Sequence, residues 1–354
     1  MVKILTKPQI EIREASQEFK KLRLRLQKEG ILDRDYGYYF ILTLAITFSL
    51  VFFITLIYQT NSTPLIVLYS LCLCIVFEQI GGLMHDAGHM AIFNRAWYNN
   101  FFGFICGIFV GANFFGWQRT HNVHHKYPNQ INKDPDIDLP FYFTKEHYLN
   151  AKGIGRLIRK YQTWYYLPLL SLTVISLHIS KNFIYLINRW KVFSARFLFV
   201  QIVVVTIALT FWYILPFILF PAYKALIVVV IITLGTGFIF GNVFAPNHKQ
   251  MPQIGENVRF SHLEKQIITA SNVYTGQISN FFYFGLDLQI EHHLFPNTPR
   301  MNLKKISPFV KEICKKYNIP YTSTTTFQSV KQILRELKKA VDEGEMEIKN
   351  SKTA

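Results

Sequence analysis

Two uncharged or nearly uncharged runs, residues 38–58 and 65–84, are each about 20 residues long, enough for a helix to cross the ~30 Å hydrocarbon layer of a bilayer. A second pair, 196–220 and 225–244, repeats the pattern around a short turn at 221–224. Half of the 354 residues are hydrophobic, with 32 Phe and 19 Tyr, and that content comes in blocks rather than in the scattered pattern of a soluble core. Nine Lys or Arg precede the first run, from Lys3 to Arg34, and none occupies the connection at 59–64, so the positive-inside rule puts both ends of the first hairpin in the cytoplasm. The second hairpin, with basic sequence on both outer flanks, takes the same topology.

The net charge of +16 would raise nucleic acid as a partner, but the basic residues flank the apolar blocks, where anionic headgroups account for them, and no nucleic-acid motif occurs. Cys72, Cys74, Cys106 and Cys314 have no CxxC spacing, which argues against a disulfide framework or a thiolate metal site. The first 37 residues are charged and amphipathic, unlike a cleaved secretory signal, so the N-terminus is expected in the cytoplasm.

Two shorter apolar stretches lie between the hairpins. Residues 164–177 are too short to span comfortably and read as interfacial. Residues 97–115 could span by length, but a single crossing would put His89 and His121 on opposite faces of the membrane, so a shared site requires this stretch to follow the interface or to re-enter. From residue 297 onward the chain reads as soluble, with a helix near 327–341 and a polar, frayed end. The expected fold is all-α: four transmembrane helices in two hairpins, carrying a helical cytoplasmic domain. Its parts are an amphipathic segment (1–37), a membrane domain (38–321) and a cytoplasmic tail (322–354).

Seven of the 11 histidines fall in three groups: His85 and His89 in HDAGH, His121, His124 and His125 in HNVHH, and His292 and His293 in QIEHH. On a helix, positions i and i+3 or i+4 share a face, so each group offers several imidazoles to one centre. His124 and His125 point about a hundred degrees apart and can serve different metals, with His121 bridging the gap in reach. Neutral imidazole suits iron, copper or zinc, and the number of histidines exceeds what one zinc needs, so the spacing suits a two-metal site. His248, after the last run, is an eighth candidate; taken alone it would read as an interfacial histidine. Gln289 stands where a histidine would complete a third HxxHH, and its amide oxygen can ligate metal or hold water.

Metal-bound imidazoles usually donate their other N–H to a carboxylate or carbonyl, which nominates Asp86, Asp134 and Glu291. Asp136 and Asp138 read equally well as solvated turn formers beside Pro135. Glu78, two turns before His85 inside the second run, is an ionisable group at membrane depth and is expected to support the site from beneath. Arg119, Lys126 and Lys133 could hold a phosphate-bearing headgroup or dock an acidic electron donor, or could simply be flanking charge.

These motifs resemble the membrane fatty acid desaturase family, whose three boxes read HxxxH, HxxHH and (H/Q)xxHH. QIEHHLFP (289–296) is similar to the front-end group of acyl desaturases, and the likeness covers residues 38–321, including WQRTHNVHH (117–125) and the PNHK around His248. The resemblance implies two iron ions held by His85, His89, His121, His124, His125, His248, His292 and His293, with Gln289 at the variant position. It implies that two hydrogens are removed from an acyl chain while dioxygen is reduced to water. The new cis bond would lie between an existing double bond and the carboxyl end of a chain carried by CoA or a glycerolipid. No HPGG haem motif of a fused cytochrome b5 occurs, so electrons are expected from a separate protein of cytochrome b5 or ferredoxin type. Leu288 stands where the family often has an aromatic residue, which bears on regioselectivity. The membrane would be a bacterial inner membrane or endoplasmic reticulum. Rival readings are a di-iron lipid hydroxylase, a sphingolipid base desaturase and, in another class, a non-catalytic membrane metal-binding or transport protein.

Overall fold

The computed structural model describes residues 9–136, 141, 144–256, 258, 260–274 and 276–353. Asp138 lies outside them. In chain order the helices begin with α1 (Gln9–Lys28), α2 (Tyr36–Gln59), α3 (Thr63–Gly88), α4 (Ala96–Val110) and α5 (Phe114–Lys126). There follow α6 (Lys145–Asn150), α7 (Gly153–Lys160), α8 (Gln162–Leu170) and α9 (Thr173–Leu177), the last running through a π-helical segment, His178–Ile184, into α10 (Tyr185–Arg189). Then come α11 (Ala195–Tyr213), α12 (Leu215–Leu219), α13 (Ala222–His248) and α14 (His262–Ile268). The chain ends with β1 (Asn272–Tyr274), α15 (Gln277–Phe282), α16 (Gln289–Leu294), α17 (Arg300–Lys316), β2 (Ser323–Thr325) and α18 (Thr326–Thr353). The one sheet among the described residues is the parallel pair β1–β2, which the sequence did not foreshadow.

Four helical stretches are long and apolar enough to cross a membrane: α2, α3, α11 with α12, and α13. Two of them outrun the apolar blocks. α3 continues to Gly88 and α13 to His248, so their last turns, HDAG and APNH, run past the apolar blocks and are enclosed by the protein. The third breaks at Ile214, because Pro216 has no N–H for the carbonyl of Trp212. α3 is the most enclosed span and packs against α2, α4 and α13. Phe77 of α3 meets Trp212 of α11 with ring centroids 5.0 Å apart.

The stretch at 97–115 doubles back: α4 and α5 meet at 105°, and the bend brings a ring nitrogen of His121 within 4.8 Å of one of His89. Gly111 ends α4 in the left-handed region at φ 78°. A bend inside the apolar layer frees backbone groups that lipid cannot satisfy. Asn182 supplies both halves of its amide, donating to Gly111 O at 2.8 Å and accepting from Asn113 N at 2.7 Å. His178 meets the Val110 carbonyl at 2.9 Å, and the Asn113 side chain caps α5 at Gly116 N, 3.1 Å. The left-handed backbone and a ring packed where a Cβ would sit make Gly111 hard to replace. We expect Gly111→Ala to cost at least about 2 kcal/mol, read as a lowered unfolding midpoint in detergent. A wild-type midpoint would argue against this bend.

The tail differs most from its expectation. α18 is continuous to Thr353 instead of fraying after residue 341, because its second half is pinned to the middle loop. Glu345 takes Lys160 Nζ at 2.9 Å and Tyr148 Oη at 2.7 Å, and Glu347 takes Lys145 Nζ at 2.9 Å. Its first half packs Ile333 and Leu337 against Tyr166 and Leu170.

Candidate metal centre

The helix ends α3, α5 and α13 and the short α16 converge, and they bring together all eight nominated histidines and Gln289. His85 and His89 share a face at the end of α3, His121, His124 and His125 lie on α5, His248 is the last residue of α13, and Gln289, His292 and His293 are on α16. α5 can point its histidines at α3 only because of the 105° re-entrant bend.

The imidazoles sort into two groups. In His85, His89, His121 and His292, one ring nitrogen from each lies within 4.8 Å of the others. His124, His248 and His293 form a second such group. His125 stands between them, its Nε2 3.2 Å from Nε2 of both His121 and His292 and its ring stacked on His293 at 4.2 Å between centroids. The adjacent histidines of HNVHH thus diverge as helix geometry requires, but His121 sits wholly with the first group and His125, not His121, is the ring between the groups. The Gln289 amide joins the second group, 2.9 Å from Nε2 of His248 and held by Asn247 Nδ2 at 3.3 Å.

Second partners fix which nitrogen each ring presents. His124 Nδ1 lies 3.0 Å from both carboxylate oxygens of Asp134. His248 Nδ1 donates to Thr269 O at 2.9 Å, and His293 Nδ1 meets Gln266 Oε1 at 2.7 Å. His85 Nδ1 is 3.3 Å from Asp86. Each of these rings therefore turns Nε2 toward the centre. Nε2 of His85, His89 and His293, and Nδ1 of His125, are buried with no hydrogen-bond partner, an arrangement that is costly unless something else takes the lone pairs. Burial, reinforced by the neighbouring rings, holds His89, His292 and His293 well below the ordinary histidine pKa, so they stay neutral, with the Nε2 lone pairs of His89 and His293 unsatisfied. Neutral, convergent, unsatisfied imidazoles are the donor set a pair of divalent metals needs.

The acidic candidates divide. Asp86 sits on His85 and is itself held by Arg300 Nε at 2.6 Å and Tyr39 Oη at 2.7 Å. Asp134 sits on His124 and also accepts from the backbone N–H of Asn129 and Asp136. Burial pushes the Asp134 carboxyl up, but His124 and those hydrogen bonds win and leave it below the usual range. Asp136 reaches to 3.8 Å from His124 Nδ1 and is half exposed. Glu291 turns to Asn272 and Tyr321, both at 2.7 Å, tying α16 to β1 and the segment before β2. The hydrogen bond of Glu78 goes to Gln79, 2.8 Å away in the same helix. Of the basic candidates, Lys126 and Lys133 gather with Lys265 around the Tyr127 ring, 5.2 to 5.7 Å from its centre, beside the second histidine group.

Sequence reasoning missed Tyr39, Gln266, Thr269 and Arg300. Gln266 and Thr269 lie between the boxes and carry no spacing signal; Tyr39 and Arg300 reach Asp86 only through the tertiary fold.

Comparison with known proteins agrees with this geometry. The chain is 31% identical over 350 residues to a Delta(8)-fatty-acid desaturase of Euglena gracilis, covering 93% of this chain and 80% of the relative. It is 28% identical to the Delta(5) fatty acid desaturase fat-4 of Caenorhabditis elegans (86% and 70% covered). It is also 28% identical to an acyl-lipid (9-3)-desaturase of Borago officinalis (92% and 75%). Residues 61–325, which hold every histidine of the centre, match the fatty acid desaturase family, and the chain belongs to it.

Proposed function

We propose that this desaturase places a cis double bond on the carboxyl side of one already present in a fatty acyl chain, using two iron ions held by the paired histidine groups and electrons from a separate protein. The observation that carries the reading is the pairing itself: two sets of enclosed imidazoles, each converging on a point, with His125 between them. His85, His89, His121 and His292 would hold one ion. His124, His248 and His293 would hold the other, with Gln289 beside it directly or through water. An iron pair supplies the oxidising power toward an unactivated C–H bond that no side chain possesses.

The chain's own residues do the rest. Asp86, Asp134, Gln266 and the Thr269 carbonyl keep the imidazoles aimed inward. The enclosing helix ends keep bulk water from the centre; His85, His89, His124, His292 and His293 are each at most 6% exposed. The spans beneath are apolar and hold an acyl chain in the bilayer, where its anchored carboxyl end fixes which methylene reaches the metals. The Gln-variant third box and relatives named for Delta(5), Delta(8) and (9-3) desaturation support the carboxyl-side assignment. The cluster of Lys126, Lys133 and Lys265 offers a positive face for an acidic electron donor. The charged N-terminal segment supports a cytoplasmic metal side.

The test is lipid analysis of a host expressing the chain and fed defined unsaturated acyl chains. Products two hydrogens lighter, with the new bond between the old one and the carboxyl group, are expected. Gain of one oxygen would move the reading to hydroxylation, and a new bond on the methyl side would overturn the regiochemistry.

A further inference from the structure

The α7 helix presents its apolar side outward. Ile154, Leu157, Ile158 and Tyr161 fall at positions i, i+3, i+4 and i+7 of one helical face, and they are 76%, 58%, 53% and 54% exposed; Trp164, one turn on, is 85% exposed. The basic residues are tied sideways to the protein, Arg156 half-buried and Lys160 at the surface. Arg156 donates to the carbonyls of Ala151 and Leu149 at 2.7 and 2.9 Å, and Lys160 pairs with Glu345 of α18 at 2.9 Å. A helix at a water-facing surface is arranged the other way round.

Its place in the fold says what covers that face. Immediately after α7 the chain descends along α13: Leu170 and Ser171 lie against Gly241 and Gly237, well below the His248 end of that span. Exposed apolar residues then continue through Ile179, Phe183, Ile187 and Trp190. The outer face of α7 is thus continuous with exposed apolar surface that runs down beside the α13 span. An amphipathic helix ending in Tyr and Trp suits that polar–apolar boundary.

We propose that α7 lies in the plane of the membrane on the metal-centre side, with Ile154, Leu157, Ile158 and Trp164 in the acyl–headgroup boundary. It thereby anchors the middle loop to the lipid surface. The anchor is joined to the metal centre through α18, which takes Lys160 on Glu345, carries the Leu337 carbonyl that accepts from Gln162 at 3.1 Å, and donates from Ser329 Oγ to Pro246 O at 3.1 Å, two residues before His248.

The test is site-directed spin labelling of the full chain in lipid nanodiscs. Cys72→Ala removes the one cysteine that is not buried. Labels at Leu157→Cys and, separately, Ile154→Cys are compared with Phe48→Cys on the lipid-facing side of α2 and Lys20→Cys on α1. For a helix buried ~5–10 Å into the interface, the ratio of collision rates with oxygen and with a water-soluble nickel complex should exceed that at residue 20 by at least about threefold and approach that at residue 48. A ratio matching residue 20 would place the face in water and overturn the proposal. Low collision rates with both reagents would overturn it too, since they would mean that a protein surface, such as a second copy, covers the helix.

Discussion

Replacing His292 by alanine is expected to lower turnover by more than about a hundredfold and to reduce bound iron, while the chain still inserts in the membrane. His292 ties the first histidine group to the ring between the groups: it belongs to the first group, its Nε2 lies 3.2 Å from His125 Nε2, and its ring packs on His85 and His89 at 4.7 and 4.8 Å. Its removal opens the first metal position and frees the ring between the two positions. The side chain is fully enclosed on a six-residue helix held from both sides, so the loss should be local. Metal content, acyl products and circular dichroism measured on one preparation check this. Wild-type turnover, or lost turnover with full iron, would contradict the assignment.

The second large effect is expected at Arg300→Met. Arg300 and Asp86 form an ion pair at 2.6 Å with side chains 4% and 7% exposed. Burial would pull the guanidinium pKa down, yet Asp86 and the tyrosines around it hold it above its ordinary value. Removing the guanidinium strands a buried carboxylate, which costs about 3–5 kcal/mol. It also frees the group that sits on His85, where lost support typically lowers metal affinity about 10- to 100-fold. Adding Asp86→Asn should recover much of the stability, since the uncompensated charge is gone while the amide oxygen can still face His85 Nδ1 and the amide NH2 can donate to the Tyr39 hydroxyl. Thermal unfolding and iron titration of the single and double variants test this. A single variant within about 1 kcal/mol of wild type would show that the pair does not support the site.

Much of this architecture was legible in the sequence because membranes simplify the code. A run of about 20 apolar residues has few alternatives to a spanning helix, and imidazoles at i, i+3 and i+4 have few alternatives to a common face. The requirement that His89 and His121 share a side was enough to foresee that residues 97–115 could not cross once, and the bend at Gly111 meets it. Span ends were less legible, since hydropathy marks where lipid stops and not where the helix does. HDAG and APNH continue their helices because protein encloses them. The far end of α18 was read as frayed because its polar residues look solvated in isolation; its order comes from partners nearly 200 positions away, Lys160 and Lys145. The same separation hid Arg300 from Asp86 and left Glu291 looking like a prop for its own histidines when it binds Asn272 and Tyr321.

The central claim is that each of the two histidine groups holds one metal ion. Mössbauer spectroscopy of the purified chain grown on iron-57, with total iron measured per chain, tests it most directly. Two irons per chain, each in a nitrogen-rich environment, are the predicted result. A single iron, or none retained by chain that is folded and active, would contradict it.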